Sequence, residues 1–239
     1  HPDPFDDPLG GVDALNTAVV EARHLFFNNS FFDSNTPGPH PDDDNALVAG
    51  KQALLPGVES SFDNYTNYAR GINGVFVDIS DIPDPQALDA DDFQFNLGNN
   101  SDPSTWTPAP DPAFVDVREN AGQNGADRVT LIWNDGDILN NWLEIRVLPG
   151  DTGLSSTDLF YFGNAAGDTF NAQGNLFVDA SDLAGIRDNP RTFLNRATVA
   201  DPFDLNRDSF VDASDFAIAR DNPTNFTNDV EPILVPFTA

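Results

Sequence analysis

Two segments of this chain repeat one another at a spacing of 33 residues. Val178-Asp179-Ala180-Ser181-Asp182, running on through Arg187-Asp188-Asn189-Pro190 to Phe193, matches Val211-Asp212-Ala213-Ser214-Asp215, running on through Arg220-Asp221-Asn222-Pro223 to Phe226. A duplication this close predicts two copies of one supersecondary unit. Each copy reads as a loop, then a short helix, then an Asn-Pro stop, because the residue before a proline is pushed out of the helical region.

The loop of the second copy carries the chemistry. From Asp204 to Asp215, oxygen side chains fall at loop positions 1, 3, 5, 9 and 12: Asp204, Asn206, Asp208, Asp212 and Asp215. The Phe210 carbonyl is available at position 7. A chain wrapped around one ion offers every second residue to it, and the entering helix supplies the last carboxylate. That is the spacing of a calcium loop. Position 6, usually Gly for the sharp turn, is Ser209 here.

The first copy is less regular, and two registers are open. Counting back from Asp182 gives Asn171, Gln173, Asn175 and Asp179, which leaves only two carboxylates. A longer loop starts at Asp168 and uses Asn171 or Gln173, then Asn175, the Phe177 carbonyl, Asp179 and Asp182. The two carboxylates of the shorter register make a weak site.

Charge agrees with bound metal. The chain has 39 acidic and 11 basic residues, a formal net charge of -28. The Glu are only Glu21, Glu59, Glu119, Glu144 and Glu231, and Lys51 is the only lysine. Such a chain repels nucleic acid and anionic membrane surfaces, which need cationic contacts. Short Asp and Asn side chains bring oxygens close to a turn, as calcium loops require. No Cys is present, so no disulfide can form, and calcium is the alternative staple. Asp33, Asp42, Asp43, Asp44, Asp63, Asp78 and Asp81 are further candidate calcium ligands, with the polar Asp33–Gly57 loop read as functional or ion-tied to Asp78 or Asp81. No apolar run approaches the roughly 20 residues of a membrane span.

Ahead of the repeats the pattern changes to period two. Val75, Val77 and Ile79 alternate with Phe76 and Asp78. Phe93, Phe95 and Leu97, then Val129, Leu131 and Trp133, then Leu143, Ile145 and Val147 alternate in the same way. Each such run predicts a strand with one buried face. Turn clusters rich in Gly, Pro, Asn and Asp separate them, which predicts an antiparallel β-sandwich of jelly-roll or immunoglobulin-like type.

Several segments carry a resemblance. They include Asn28-Asn29-Ser30-Phe31-Phe32-Asp33, Leu54-Leu55-Pro56-Gly57, Phe62-Asp63-Asn64-Tyr65-Thr66-Asn67-Tyr68, Arg70-Gly71-Ile72-Asn73-Gly74-Val75, Asp127-Arg128-Val129-Thr130-Leu131-Ile132-Trp133 and Phe160-Tyr161-Phe162-Gly163-Asn164. With the Asp215-terminated loop, the chain resembles secreted dockerin type I repeat proteins of planctomycete-like bacteria, over about residues 20 to 226. Ser209 departs from that pattern. In the first copy the longer loop is preferred because Gly167-Asp168 resembles the Gly-Asp that opens dockerin repeats. The resemblance implies secretion and bound calcium, and implies no reaction. The start at His1 rather than Met fits a removed leader. The expected organisation is an extended N-terminal arm over 1–14, a β-sandwich over 15–150, a dockerin-like calcium-binding pair over 151–228 and an extended tail over 229–239.

No Gly-x-Ser-x-Gly elbow, phosphate-cradling loop or His-Glu-x-x-His is present. The three His are His1, His24 and His40. A copper brace of His1 with His24 or His40 is the one sharp enzymatic idea, and is set aside because His1 precedes Pro in the arm. The expectation is a non-enzymatic, secreted, calcium-binding structural protein that assembles with itself into a filament, tube or lattice, the two arms adding strands to a neighbour. Two other partners are considered. A cohesin-like protein would face Ala180-Ser181 and Ala213-Ser214. A polysaccharide would stack on Trp106, since Trp133 and Trp142 lie in strands.

Overall fold

A computed structural model of the chain describes residues 17–170, 176–225 and 227–237. The four alternating segments are strands, or run one residue past one. In chain order the strands are β1 (Val19–Leu25), β2 (Tyr65–Thr66), β3 (Gly74–Ser80), β4 (Phe93–Gly98), β5 (Thr107–Pro108), β6 (Phe114–Arg118), β7 (Asp127–Ile132), β8 (Trp142–Val147) and β9 (Asp158–Asn164). The repeats supply the helices α1 (Ala180–Asp188) and α2 (Ala213–Asp221).

The strands form two sheets, ordered β1-β3-β7-β6 and β2-β9-β8-β4-β5. Alternation explains where the core sits. Val75, Val77, Ile79, Val129 and Leu131 of the first sheet share one apolar cluster with Phe93, Phe95, Leu143, Ile145, Val147, Phe160 and Phe162 of the second. Burial of this kind stabilises at roughly 25 cal/mol per Å² of apolar surface removed from water. All pairs are antiparallel except one: β2 runs parallel to β9, with Tyr65 beside Gly163. The second sheet is therefore mixed, which corrects the all-antiparallel expectation.

The expected boundary at residue 150 is also corrected. β9 lies beyond it, yet pairs with β8 along its whole length, Ile145 opposite Phe160. Its residues are buried on both faces. Phe160 and Phe162 enter the shared core, while Tyr161 enters a second cluster on the far side.

That second cluster corrects two more expectations. It joins Leu54, Tyr65, Trp106, Trp142 and Tyr161 with Val230, Ile233 and Val235. The tail from residue 229 is extended, but it is packed on its own body. Leu234 bridges Glu59, Gly57 N donates to Val235 O at 2.7 Å, and Trp142 Nε1 donates to Glu231 O at 2.8 Å. Trp106 is buried edge-on to Tyr161, with its indole over Gly98. All three Trp are buried, so none offers a face to a sugar. The physical reason is common to both: Trp142 and Tyr161, on the outer face of β8 and β9, need a cover, and the tail and Trp106 supply it.

The long polar loop does cross to Asp78, but not through an ion. Arg128 donates from Nε and Nη2 to Asp78, both at 2.8 Å, and from Nη1 to Asp44 at 2.7 Å. A guanidinium fork makes the tie that a cation was expected to make. The 1–14 arm, His1 and Phe226 lie outside the described residues. Among the described residues no helix is long and apolar enough to cross a membrane.

Candidate metal centre

The second loop closes on itself through hydrogen bonds to its own carboxylates. Asp204 and Asp215 are both fully buried. Asp204 accepts from the backbone N of Asp208 at 3.2 Å and of Ser209 at 2.9 Å. Asp215 accepts from Leu205 N at 2.7 Å, Asn206 N at 3.4 Å and Asp212 N at 2.9 Å. Asn206 accepts from Asp208 N at 3.1 Å and donates to Asp208 Oδ2 at 2.9 Å. Phe210 N donates to Asp208 Oδ1 at 2.8 Å, which places the Phe210 peptide on the same ring. Asp212 caps α2 through Ser214 N at 2.7 Å. All six predicted residues thus sit on one closed turn.

Two residues of that turn hold left-handed backbone, Arg207 at φ 56° and Ser209 at φ 73°. The sharp bend that Gly usually gives is made by Ser209 at a conformational cost.

The first loop shares its closing geometry with the second. Thr169 N donates to Asp182 Oδ1 at 2.8 Å, just as Leu205 N donates to Asp215 Oδ1. Asp179 N donates to Asp182 Oδ2 at 2.8 Å, matching Asp212 N and Asp215. Asp168 therefore stands where Asp204 stands, one residue before the N–H that meets the last carboxylate. Asp168 precedes Asp182 by fourteen positions, whereas Asp204 precedes Asp215 by eleven. This correspondence places Asp168, rather than Asn171, opposite Asp204. Asn171, Gln173 and Asn175 lie outside the described residues. Phe177 is half-buried, between Leu176 and Val178 of the buried clusters.

The two units are joined reciprocally. Arg191 and Val211 exchange backbone bonds of 3.2 Å in both directions. Thr224 N donates to Val178 O at 3.1 Å, and Val178 N to Thr224 Oγ1 at 2.7 Å. Arg191 and Thr224 each follow an Asn-Pro stop, and Val178 and Val211 are equivalent in the repeat. Each loop thus pairs with the exit of the other helix. Val178, Ile186, Leu205, Val211 and Ala219 pack between them as a third cluster.

The pair is also keyed to the sheets, by residues that local spacing could not reveal. Asn67 is fully buried and donates from Nδ2 to Asp168 O at 2.6 Å and to Pro202 O at 2.8 Å. Its Oδ1 accepts from the buried Arg207. Tyr65 donates its hydroxyl to Asp168 Oδ2 at 2.7 Å. Lys51 Nζ sits over the Phe170 ring at 4.0 Å. Tyr65 and Asn67 belong to one quoted segment, but nothing in that segment names a partner a hundred residues away.

Electrostatics separates the inner carboxylates from the capping ones. Burial pushes Asp168 and Asp204 each up to about 7, and raises Asp215 as well. Neighbouring carboxylates add to this: Asp182 acts on Asp168, and Asp215 on Asp204. Asp179 and Asp212 are lowered by the hydrogen bonds of Ser181 and Ser214. A cation placed among the inner groups would replace mutual repulsion with attraction. Among the described residues no three His, Cys, Asp or Glu converge as a cluster that could hold a metal ion. The oxygens gathered here are one or two buried carboxylates with amide and backbone groups.

No family model, curated protein or solved structure matches this chain. The site must be read from its own residues.

Of the remaining candidates, Asp33 and Asp43 are buried, Asp42 is half-buried, Asp63 is exposed, and Asp81 is exposed just after β3. Asp44 and Asp78 are taken by Arg118 and Arg128. His24 Nε2 lies 3.7 Å from Asp78, and His40 Nδ1 accepts from Asp42 N at 3.1 Å as a turn cap.

Proposed function

We propose that this chain is a secreted, non-enzymatic structural protein of the cell exterior, rigidified by calcium and associating with itself. The carrying observation is the pair of closed loops, Asp168 to Asp182 and Asp204 to Asp215, each ending in a buried carboxylate at a helix start. Asp204, Asn206, Asp208, Asp212, Asp215 and the Phe210 carbonyl would hold one calcium. Asp168, Asp179, Asp182 and the Phe177 carbonyl, with Asn171 or Gln173 and Asn175, would hold another. The donor set suits the ion: short oxygen side chains around buried, mutually repelling carboxylates. Calcium there supplies charge neutralisation and rigidity to a chain at net charge -28.

The core shared between the sheets supports a β-sandwich, and the reciprocal loop–helix units support a dockerin-like pair. Self-association is supported by exposed apolar side chains. Leu55, Val58, Leu234 and Phe237 gather along the seam of the C-terminal tail, with the Phe237 ring over Gly57. Phe193 and Leu194 stand exposed on the turn after α1. Apolar groups gathered this way mark contact surfaces.

Electron microscopy of the purified chain tests the reading. Ordered polymers in millimolar calcium that loosen in chelator are expected. Monomers alone, in both conditions, would overturn self-assembly.

A second reading is a docking module. Ala180, Ser181, Ala213 and Ser214 are all exposed at the starts of α1 and α2. They form an equivalent pair of faces for a cohesin-like partner. Capture of one specific partner, lost on Ala213→Arg with Ala180→Arg, would favour this reading over assembly.

A further inference from the structure

The chain from Phe27 to Ala46 closes on itself over the outer face of the first sheet. Phe27 N donates to Ala46 O at 3.1 Å, at the base of the loop. Asn28 Nδ2 reaches across it to Pro37 O at 3.4 Å. Two carboxylates lie inside, Asp33 at 0% and Asp43 at 1% exposure.

Asp33 is well supplied with donors. Its oxygens collect the backbone N–H groups of Asn29, Ser30 (2.7 Å) and Asn35 (3.1 Å). Asp43 is not. Its Oδ2 accepts from His40 N at 3.0 Å, but its Oδ1 has no hydrogen-bond partner. Asn28 Oδ1 and Asn73 Oδ1 are also buried without a partner. The Asn73 amide is set against the loop, donating to Asn28 O at 2.8 Å. These three atoms are acceptors; Thr130 Oγ1 and Arg207 Nε are the other buried side-chain atoms without a partner among the described residues. A buried acceptor left without a donor costs about 1–3 kcal/mol, and more when charged.

Among the described residues no side-chain cation pairs directly with either carboxylate, although the Arg118 and His40 charges reach Asp43. Arg118 spends both ends on Asp44, and Arg128 is divided between Asp44 and Asp78. Neither Asp33 nor Asp43 has an ion pair among the described residues, within a chain of net charge -28. The Asp33 charge also reaches Asp43, adding to the burial that raises its proton affinity.

We infer that this loop holds a hard divalent cation, with Asp43 Oδ1 and Asn28 Oδ1 as ligands and Asp33 as the second carboxylate charge. Calcium takes six to eight oxygens from carboxylates, amides, backbone carbonyls and water. One or two carboxylates with amide oxygens make an ordinary set, and Asn73 Oδ1 stands nearby as a further donor. The site is separate from the two C-terminal loops and does not depend on their binding calcium.

Calcium binding to the full chain, measured by equilibrium dialysis, tests this. Asp43→Asn keeps an acceptor for His40 N but removes the charge. It is expected to lose one bound calcium per chain, or to bind that ion at least about tenfold more weakly. Asn28→Asp adds a carboxylate and is expected to tighten the same ion. If Asp43→Asn fails to fold, Asn28→Asp decides alone. Unchanged number and affinity in the folded variants would overturn the inference. Asp182→Asn and Asp215→Asn should leave this ion in place. Loops without calcium, combined with one ion lost in Asp43→Asn, would uphold this site while removing the C-terminal reading.

Discussion

The hydroxyl of Tyr65 donates to Asp168 Oδ2 at 2.7 Å, across 103 positions of chain. Both groups are buried. The bond fastens the first loop to the short strand that runs parallel to β9. Tyr65→Phe keeps the ring against Trp142 and Phe170 and removes only the donor. It is expected to cost about 1–3 kcal/mol in chemical denaturation, the penalty of a buried carboxylate oxygen losing its partner.

Ser209 bends the second loop from a left-handed backbone. Ser209→Gly and Ser209→Ala both lose the hydroxyl that Arg196 meets. Only Ala keeps the steric penalty of φ 73°. The Gly variant is expected to be more stable than the Ala variant by about 1 kcal/mol. Paired thermal melts of the two variants check this.

Asp168 and Asp204 are each pushed by burial up to about 7 in the folded chain, well above an ordinary Asp. Their contribution to stability is therefore present at low pH and is lost as pH rises through the window from about 4 to about 7. Calcium needs both groups ionised, so protons compete with it below about 7. The gap in Tm between calcium-loaded and chelated chain is expected to widen from pH 5 to pH 8. Melts at both pH values, with and without chelator, measure it. A gap that narrows over that range would contradict the assignment.

Ile233 is 1% exposed within the second cluster. Ile233→Ala leaves a cavity beside Trp142 and Tyr161 and is expected to cost about 2–5 kcal/mol. A tail free of the body would show no cost. Urea denaturation distinguishes the two.

The legible parts of this fold are those with a local period. In Val75 to Ile79, Phe93 to Leu97, Val129 to Leu131 and Leu143 to Val147 every second residue packs in the shared core, with polar Asp78, Gln94, Thr130 and Glu144 standing between, so the alternation survives in the chain although three of these strands are buried on both faces. The Asp204 to Asp215 spacing is legible for the same reason, because a wrapped loop has its own repeat. β9 was missed because Phe160, Tyr161 and Phe162 are apolar on both faces and leave no alternation to read. The cover formed by Val230, Ile233 and Val235 depends on distant partners. So does the Arg128 fork between Asp44 and Asp78, where sequence alone suggested an ion. The contact of Thr169 N with Asp182, which favours the longer first loop, is one that residue spacing does not reveal.

The most direct measurement is calcium stoichiometry of the full chain by isothermal titration, set beside Asp182→Asn and Asp215→Asn. Each substitution replaces the carboxylate that closes one loop at its helix start. The account predicts that each variant folds, loses one calcium, and retains the ion of the other loop. Wild-type chain that takes up no calcium, or variants that bind as many ions as wild type with equal affinity, would contradict it.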